Sequence, residues 1–507
     1  MRYSIIALCV LSLLQCITAE PRPEFALGAS VPRTDRVGDA ADEAQAIISS
    51  VNEASEDFTI LSELPLLPSV LTVVQNVADE FETLATALVT SITTLASDSS
   101  GNVDTVFGAA VDAVADTIAF ADDTLPGLTD PLVELIGRAL VEKFEDSLEH
   151  IGKSLQALQV ILNDLKTGAE NAVAEAGRTT DISPTIISKN LKRTMITQLV
   201  KALNLLRATV PVLKYTVDST IEGISIADQY MLDLSDKVDS TIGENSSIAD
   251  ELDGIIEAID DTITDTMADV GSDLAELQTE YDALTNLATT DSAGQLTTLM
   301  ALFAANLEDL GNRDPSILTT LNSLKDSLID VYDVVAPLFF IYDSYLVDAL
   351  ITTLVSNGNY SQYCFYKYKD FLIALLESIS IEAAVCVDKE VQRLDYFRET
   401  IEKMLGLLFF DFEDISDDLT LCNGISDEDN LGECAASMAA IYTRLEDAFG
   451  DMFTLGYDVV SREVKATSNR LKICMRLSQS SLLDSEIPQL VTKINDCAEF
   501  GPLAEED

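Results

Sequence analysis

Positive charge is scarce in this chain of 507 residues: 31 Lys plus Arg face 86 Asp plus Glu, and His150 is the only histidine. One histidine leaves a histidine-based metal centre or a histidine-dependent triad almost nothing to work with. A formal charge of −55 repels nucleic acid, anionic lipid headgroups and acidic glycans. No nucleic-acid partner is therefore expected, and cations, a basic protein or a second copy of the chain remain as partners. Long uncharged apolar runs are also missing. The most apolar stretch beyond the first twenty residues, 336–355, carries Asp343 and Asp348, which are costly at a bilayer centre, so no transmembrane anchor is expected. Alternating strand patterns are absent as well, and cysteine is missing from a stretch of more than 300 residues.

What is present begins with a leader. Met1 to Ala19 has Arg2, an apolar core from Ile5 to Leu14 and a small-residue end at Ile17-Thr18-Ala19, the pattern of a secretory signal peptide. Export is the expectation. Cys9 and Cys16 would leave with the leader, as would Arg2, giving a charge of −56 from 30 cations and 86 acids. Residues 20–36 read as a flexible segment, 37–355 as an acidic, cysteine-free helical region with sub-boundaries near 125, 180 and 290–315, and 498–507 as an acidic tail.

The fold class expected is all-α: long amphipathic helices in an extended or multi-bundle array, with a disulfide-stapled C-terminal helical module. Two stripes carry this reading. Val133, Ile136, Leu140, Phe144, Leu148, Ile151, Leu155, Leu158, Leu162 and Leu165 advance by three and four residues, and a second series runs from Ile248 through Ile259, Val270 and Leu277 to Leu284. Turn residues predict breaks at 98–102, 122–131, 177–184, 289–294, 311–315 and 356–361. Phe339, Phe340, Tyr342 and Tyr345 form an aromatic cluster that suits a core helix or an apolar pocket.

Charge lies in blocks. No Lys or Arg occurs in 37–137, which holds 18 acids, whereas 182–217 has no acid and carries Lys189, Lys192, Arg193, Lys201, Arg207 and Lys214. This basic stretch is the natural internal counterion for its acidic neighbours. Asp253, Glu257, Asp261, Asp265, Asp269 and Asp273 repeat at i, i+4 and repel by about 0.2–0.5 kcal/mol per pair, less than burial of one Leu or Ile at roughly 1.5–3 kcal/mol contributes. A solvated face is the simple reading, and a diffuse, low-affinity calcium surface the sharper one. A second group of weak calcium candidates is Asp411, Glu413, Asp414, Asp417 and Asp418 with Asp427 and Asp429. Counted from Asp427, Gly432 suits an EF-hand, but Leu431 and Met438 stand where oxygen ligands belong. Gly152-Lys153-Ser154 resembles the end of a phosphate loop without its first glycine or a preceding strand. No cofactor is expected. Asn245 and Asn359 open N-glycosylation sequons, each in a predicted break.

Six cysteines lie in the last third: Cys364, Cys386, Cys422, Cys434, Cys474 and Cys497. An even number suits an oxidising compartment. The segment between Cys364 and Cys386 has no Gly or Pro and reads as one helix, which holds those two cysteines about 33 Å apart, beyond disulfide reach. Fifteen connectivities exist for six cysteines. Matched arm lengths favour Cys364 with Cys497, Cys386 with Cys474 and Cys422 with Cys434, although Gly406, Gly450, Gly456 and Pro488 allow kinks that give another register.

The opening Tyr363-Cys364-Phe365 with Tyr368, Cys386 closing a helix, Arg393 beyond it and the later cysteines give 360–497 its character. This segment resembles the TsetseEP domain of insect secreted proteins. The resemblance implies an extracellular insect protein, with the family's namesake found in the midgut and linked to immune response, and no known catalytic activity. Glu-Pro repeats, for which the family is named, are absent, so no function tied to them is implied. The expected function is that of a secreted, acidic, helical structural or interaction protein without catalytic activity, self-assembling or cation-responsive in an insect lumen or secretion. The alternative is an extracellular carrier of apolar ligands or lipid.

Overall fold

The computed structural model describes residues 24–502 except 57, 180 and 336–340, and for 242–249, 310–317, 325–335, 379, 408–411 and 453 it describes the backbone alone. The leader, Phe339 and Phe340 fall outside the described residues. The fold is all-α. Besides the single turn Glu53–Glu56, its α-helices are α1 (Asp35–Ile48), α2 (Leu66–Ser97), α3 (Val103–Ala119), α4 (Leu125–Ile136), α5 (Ala139–Ala176), α6 (Pro184–Asn190), α7 (Arg193–Ala283), α8 (Ala293–Val335), α9 (Tyr345–Val355), α10 (Ser361–Asn423), α11 (Glu428–Ser481) and α12 (Ile487–Phe500). No strand occurs among the described residues, apart from one isolated bridge between Glu24 and Ala29.

The helices follow the apolar stripes. Along α2, Val70, Val74, Val77, Phe81, Ala85, Leu88, Ile92 and Leu95 are buried at steps of three and four. Along α5, Leu140, Phe144, Leu148, Ile151, Leu155, Leu158, Leu162 and Leu165 do the same. The stripe expected to run unbroken from Val133 is cut at Gly137, whose φ of +79° is open to glycine and closed to most residues.

Proline explains where expected breaks fail. No loop forms at 122–131; instead Phe120–Thr124 is a π-turn that runs into α4. Pro126 has no N–H to donate to the carbonyl four residues back, and its ring clashes there. Widening the turn, so that the Leu125 N–H bonds the Phe120 carbonyl, relieves the conflict. Leu482–Glu486 repeats the device ahead of Pro488. The backbone of α8 likewise stays helical through 311–315, with Phe303 before and Leu321 and Leu324 after fully buried on one face. Burial of these side chains, at roughly 1.5–3 kcal/mol each, offsets a proline cost of about 3 kcal/mol. The breaks at 98–102, 177–183, 284–292 and 356–360 lie where turn residues were read.

Two compact units result, and neither is a linear stretch. The first comprises Met1–Leu234, Tyr345–Asp370 and Leu490–Asp507, and the second Ser235–Ser344 and Phe371–Gln489. This differs from the expected division near residue 360, because long helices carry the chain out of each unit and later segments return to it.

In the first unit, residues 24–34 are packed rather than flexible. Phe25, Leu27 and Val31 are buried, and the Phe25 ring stacks on Phe107 at 6.2 Å. Helices α5 and α7 run antiparallel, with Ser147 opposite Thr216 and Ser154 opposite Thr209, each pair of hydroxyls 3.4 Å apart. Buried Asp228 of α7 accepts the backbone N–H groups of Leu61 and Ser62 at 2.7–3.1 Å, fixing the entry to α2. Gly168 of α5 meets α6 so closely that a Cβ would lie 2.8 Å from the Asn190 carbonyl oxygen.

In the second unit α8 packs along α11, and Phe303, Phe412 and Phe449 meet with ring centroids 5.5–5.6 Å apart. The second predicted stripe is buried here at Leu252, Ile255, Ile259, Ile263, Val270, Leu274 and Leu277. Glu390 is 3% exposed, and its charge is met by Arg393 and by Arg470, which also pairs with Glu463 at 2.6 Å. The hydrogen bond to Glu390 raises the Arg470 pKa above its ordinary value.

Removing Arg470 leaves the buried Glu390 carboxylate with the largely exposed Arg393 alone. Arg470→Met is expected to cost about 3 kcal/mol in urea unfolding, whereas Glu390→Met combined with Arg470→Met should fall within about 1 kcal/mol of the parent.

Candidate functional site

The cysteines are brought together in three pairs. Cys364 of α10 is bonded to Cys497 of α12, Cys386 to Cys474 of α11, and Cys422 to Cys434, with Cα separations of 5.9, 6.0 and 5.8 Å. The first lies in the first unit and the other two in the second. Helix α10 runs through both Cys364 and Cys386, so the distance argument against joining them holds. Aromatic residues pack close to the first of these bonds. Phe365 is buried and meets Tyr230 edge-on at 5.3 Å, and the Tyr230 hydroxyl donates to the Lys369 carbonyl at 2.9 Å. Burial raises the Tyr230 pKa.

A cavity of about 450 Å³ in the first unit is lined by Lys143 of α5, Tyr215, Asp218 and Glu222 of α7, Asn357 and Asn359 of the α9–α10 turn, and Tyr363 of α10. Asn357 organises it. Its backbone takes φ +52°, a left-handed conformation that Asn tolerates better than most residues. Its side chain accepts from Lys143 Nζ at 3.1 Å and donates to Ser219 and Thr220 hydroxyls at 2.8 and 2.9 Å. Three segments are thereby tied at one amide. Burial lowers the Lys143 pKa. Asp218 is held by Lys214 of its own helix at 3.1 Å. The lining is chiefly polar and offers a desolvated ammonium, two carboxylates and two phenol rings. That arrangement suits a small polar ligand better than a lipid.

Acidic candidates are spread out. Glu413, Asp414 and Asp417 are exposed on α10, Asp418 accepts from the Tyr442 hydroxyl at 3.1 Å, and the Asp411 side chain lies outside the described residues. Asp427 caps α11 by accepting the Asn430 N–H at 3.0 Å, and Asp429 is exposed. Among the described residues no group of three or more His, Cys, Asp and Glu is placed to hold a metal ion. On α7, Glu257, Asp261, Asp265 and Asp269 are exposed opposite the buried stripe. Asp273 is half-buried, one of its oxygens has no hydrogen-bond partner, and burial followed by repulsion from Asp269 and Glu276 raises its pKa.

The basic stretch meets acids in part. Lys189 pairs with Glu175 of α5 at 2.8 Å, Arg207 with Glu43 of α1, and Lys214 with Asp218 while also donating to the Ser50 carbonyl. Tyr342 and Tyr345 are 37% and 84% exposed, so neither is a core residue. Tyr345 opens α9 on the solvent side, and Leu346 and Val347 take the buried positions. Gly152, Lys153 and Ser154 lie inside α5, where Lys153 reaches Glu149 and Ser154 bonds the Ile151 carbonyl. Asn359 is exposed in the α9–α10 turn, whereas the backbone at Asn245 is helical within α7 rather than in a break; its side chain lies outside the described residues.

No helix among the described residues is long and apolar enough to cross a membrane. In comparison with known proteins, the chain matches no family model, no curated protein and no solved structure.

Two outcomes follow from this geometry. Asn357→Gly removes three side-chain hydrogen bonds and is expected to cost about 2–3 kcal/mol, and Asn357→Ala about 1 kcal/mol more because its Cβ strains the left-handed backbone; unfolding midpoints measure both. A carboxyl with a raised folded pKa favours the folded state below its unfolded pKa and loses that contribution as pH rises through the folded value. Asp273→Asn should therefore stabilise the protein at pH 7, and the gain should vanish below about pH 4, the range of an ordinary carboxyl, in urea titrations at the two pH values.

Proposed function

We propose that this chain is a secreted, non-enzymatic helical protein that works through its surfaces and assembles when protons or calcium neutralise its acidic faces. The observation that carries the reading is the row Glu257, Asp261, Asp265 and Asp269, solvent-exposed opposite a buried apolar stripe. Such a face adds nothing to the core and keeps copies of the chain apart at neutral pH. Partial neutralisation by protons, or by diffuse low-affinity binding of calcium, removes that barrier. No discrete calcium cage is required.

Three intramolecular disulfides support an oxidising compartment outside the cytosol. The resemblance of 360–497 to the TsetseEP domain supports an insect lumen or secretion as the setting. Asn359, exposed at a turn, is the better placed of the two sequons for a glycan. The polar lining of the first-unit cavity does not favour the alternative of a lipid carrier.

Light scattering is the direct test. Adding millimolar calcium, or acidifying toward the sequence pI of about 4.1, is expected to raise the scattered intensity reversibly. Flat scattering through both titrations would remove the reading.

A further inference from the structure

The face shared by α5 and the first part of α7 differs from the rest of the molecule. A groove of about 430 Å³ lies between the helices, with Ala157, Val160 and Ile161 on one side, Ala202 and Leu205 on the other, and Asp164 and Lys201 at one end. Large apolar side chains stand in solvent around it: Val160 is 64% exposed, Leu205 47%, Val212 45% and Tyr215 69%. Their spacing is not scattered. Lys201, Leu205, Ala208, Val212 and Tyr215 step by four, three, four and three residues, the seam pattern of a helix that packs against another helix. His150, Lys153, Ala157, Val160 and Asp164 form a matching exposed series on α5. Both helices already bury a complete stripe elsewhere, at Leu155, Leu158 and Leu162 and at Leu203, Leu206 and Val210. The second stripe is therefore surplus to the fold of this unit.

We propose that this groove is the contact through which two copies of the chain pair. Charge selects the occupant. At −55, most ways of bringing two copies together set carboxylate against carboxylate. The α7 half of this face belongs to 182–217, which contains no acid at all. Lys201 and Asp164 flank the apolar floor, and neither has an ion-pair partner among the described residues. A face that presents one cation and one anion beside a shared apolar seam is self-complementary about a twofold axis, as an isologous dimer requires. Lys201 of each copy can then meet Asp164 of the other.

The seam is short. From Lys201 to Tyr215 it is about 21 Å long, and two helices about 10 Å apart make a face of roughly 400 Å² per copy. The pair buries on the order of 800 Å², below the roughly 1,200 Å² of stable interfaces, so the dimer is weak and concentration-dependent. This inference deepens the self-association reading by naming a surface, yet the two respond to different conditions. Neutralisation of acidic faces needs protons or calcium. Pairing through the groove needs only that long-range repulsion be screened, which sodium chloride does at neutral pH while leaving apolar burial intact.

Sedimentation velocity of the full mature chain at pH 7.4 in chelator tests this, comparing about 0.02 M with about 0.3 M sodium chloride over a wide range of protein concentration. Dimer content is expected to rise with protein and with salt. Leu205→Glu and Val160→Glu, both at exposed positions that leave the helical circular dichroism unchanged, should each weaken pairing about tenfold or more. Lys201→Glu should weaken it as well, and adding Asp164→Lys to that variant should restore it. A chain that stays monomeric throughout, dimers that dissociate as salt is added, or dimers indifferent to Leu205→Glu would each overturn the groove as the contact, whatever calcium or acid does to scattering.

Discussion

Helix α10 carries one half of each of the three disulfides among the described residues. Cys364 near its start, Cys386 part-way along and Cys422 at its end are bonded to Cys497, Cys474 and Cys434, which come later in the chain and in reverse order. The register of α10 against the segments that return beside it is therefore fixed, and in the second unit the register of α11 is fixed with it. A chain-entropy estimate gives about 3 kcal/mol for the 12-residue loop closed by Cys422 and Cys434. With the Cys386–Cys474 bond in place, the outer bond closes only the 22- and 23-residue arms beyond it and contributes about 4 kcal/mol. Each contribution is a large fraction of the 5–15 kcal/mol that holds a typical domain folded.

Such fixation matters because the charge of the chain works against compactness. Acids at i, i+4 repel along one side of α7, and the same helix is held down only by a narrow stripe on the other. Where acids enter the interior they are met individually: Glu390 by two arginines, Asp228 by two backbone N–H groups. Asp273, with a buried oxygen left unbonded, shows the opposite case and carries the raised pKa that results. The surface is left acidic and the interior apolar.

The helical fold was legible because period and burial agree: the predicted stripes at 136–165 and 252–277 are the buried ones. Breaks were legible where a residue adopts positive φ, as at Gly101, Gly177 and Asn357. They were misread where proline was absorbed, by a π-turn before Pro126 and by continuous helix at 311–315, because turn propensity is local and the burial that overrides it is not. The N-terminal segment was misread for a similar reason. Its Pro and Arg content suggests a loose chain, but Phe25 stacks on Phe107 of α3 and donates its N–H to the Leu95 carbonyl of α2, and Leu27 and Val31 are buried. The cavity left no signature in the sequence, since Lys143 and Asn357 lie 214 residues apart and meet through a hydrogen bond that no spacing rule anticipates.

Peptide mapping of the non-reduced protein tests the central claim most directly. Cross-linked peptides joining Cys364 to Cys497, Cys386 to Cys474 and Cys422 to Cys434 are the predicted result. A peptide joining Cys364 to Cys386, or free thiols at any of the six, would contradict the account at its foundation.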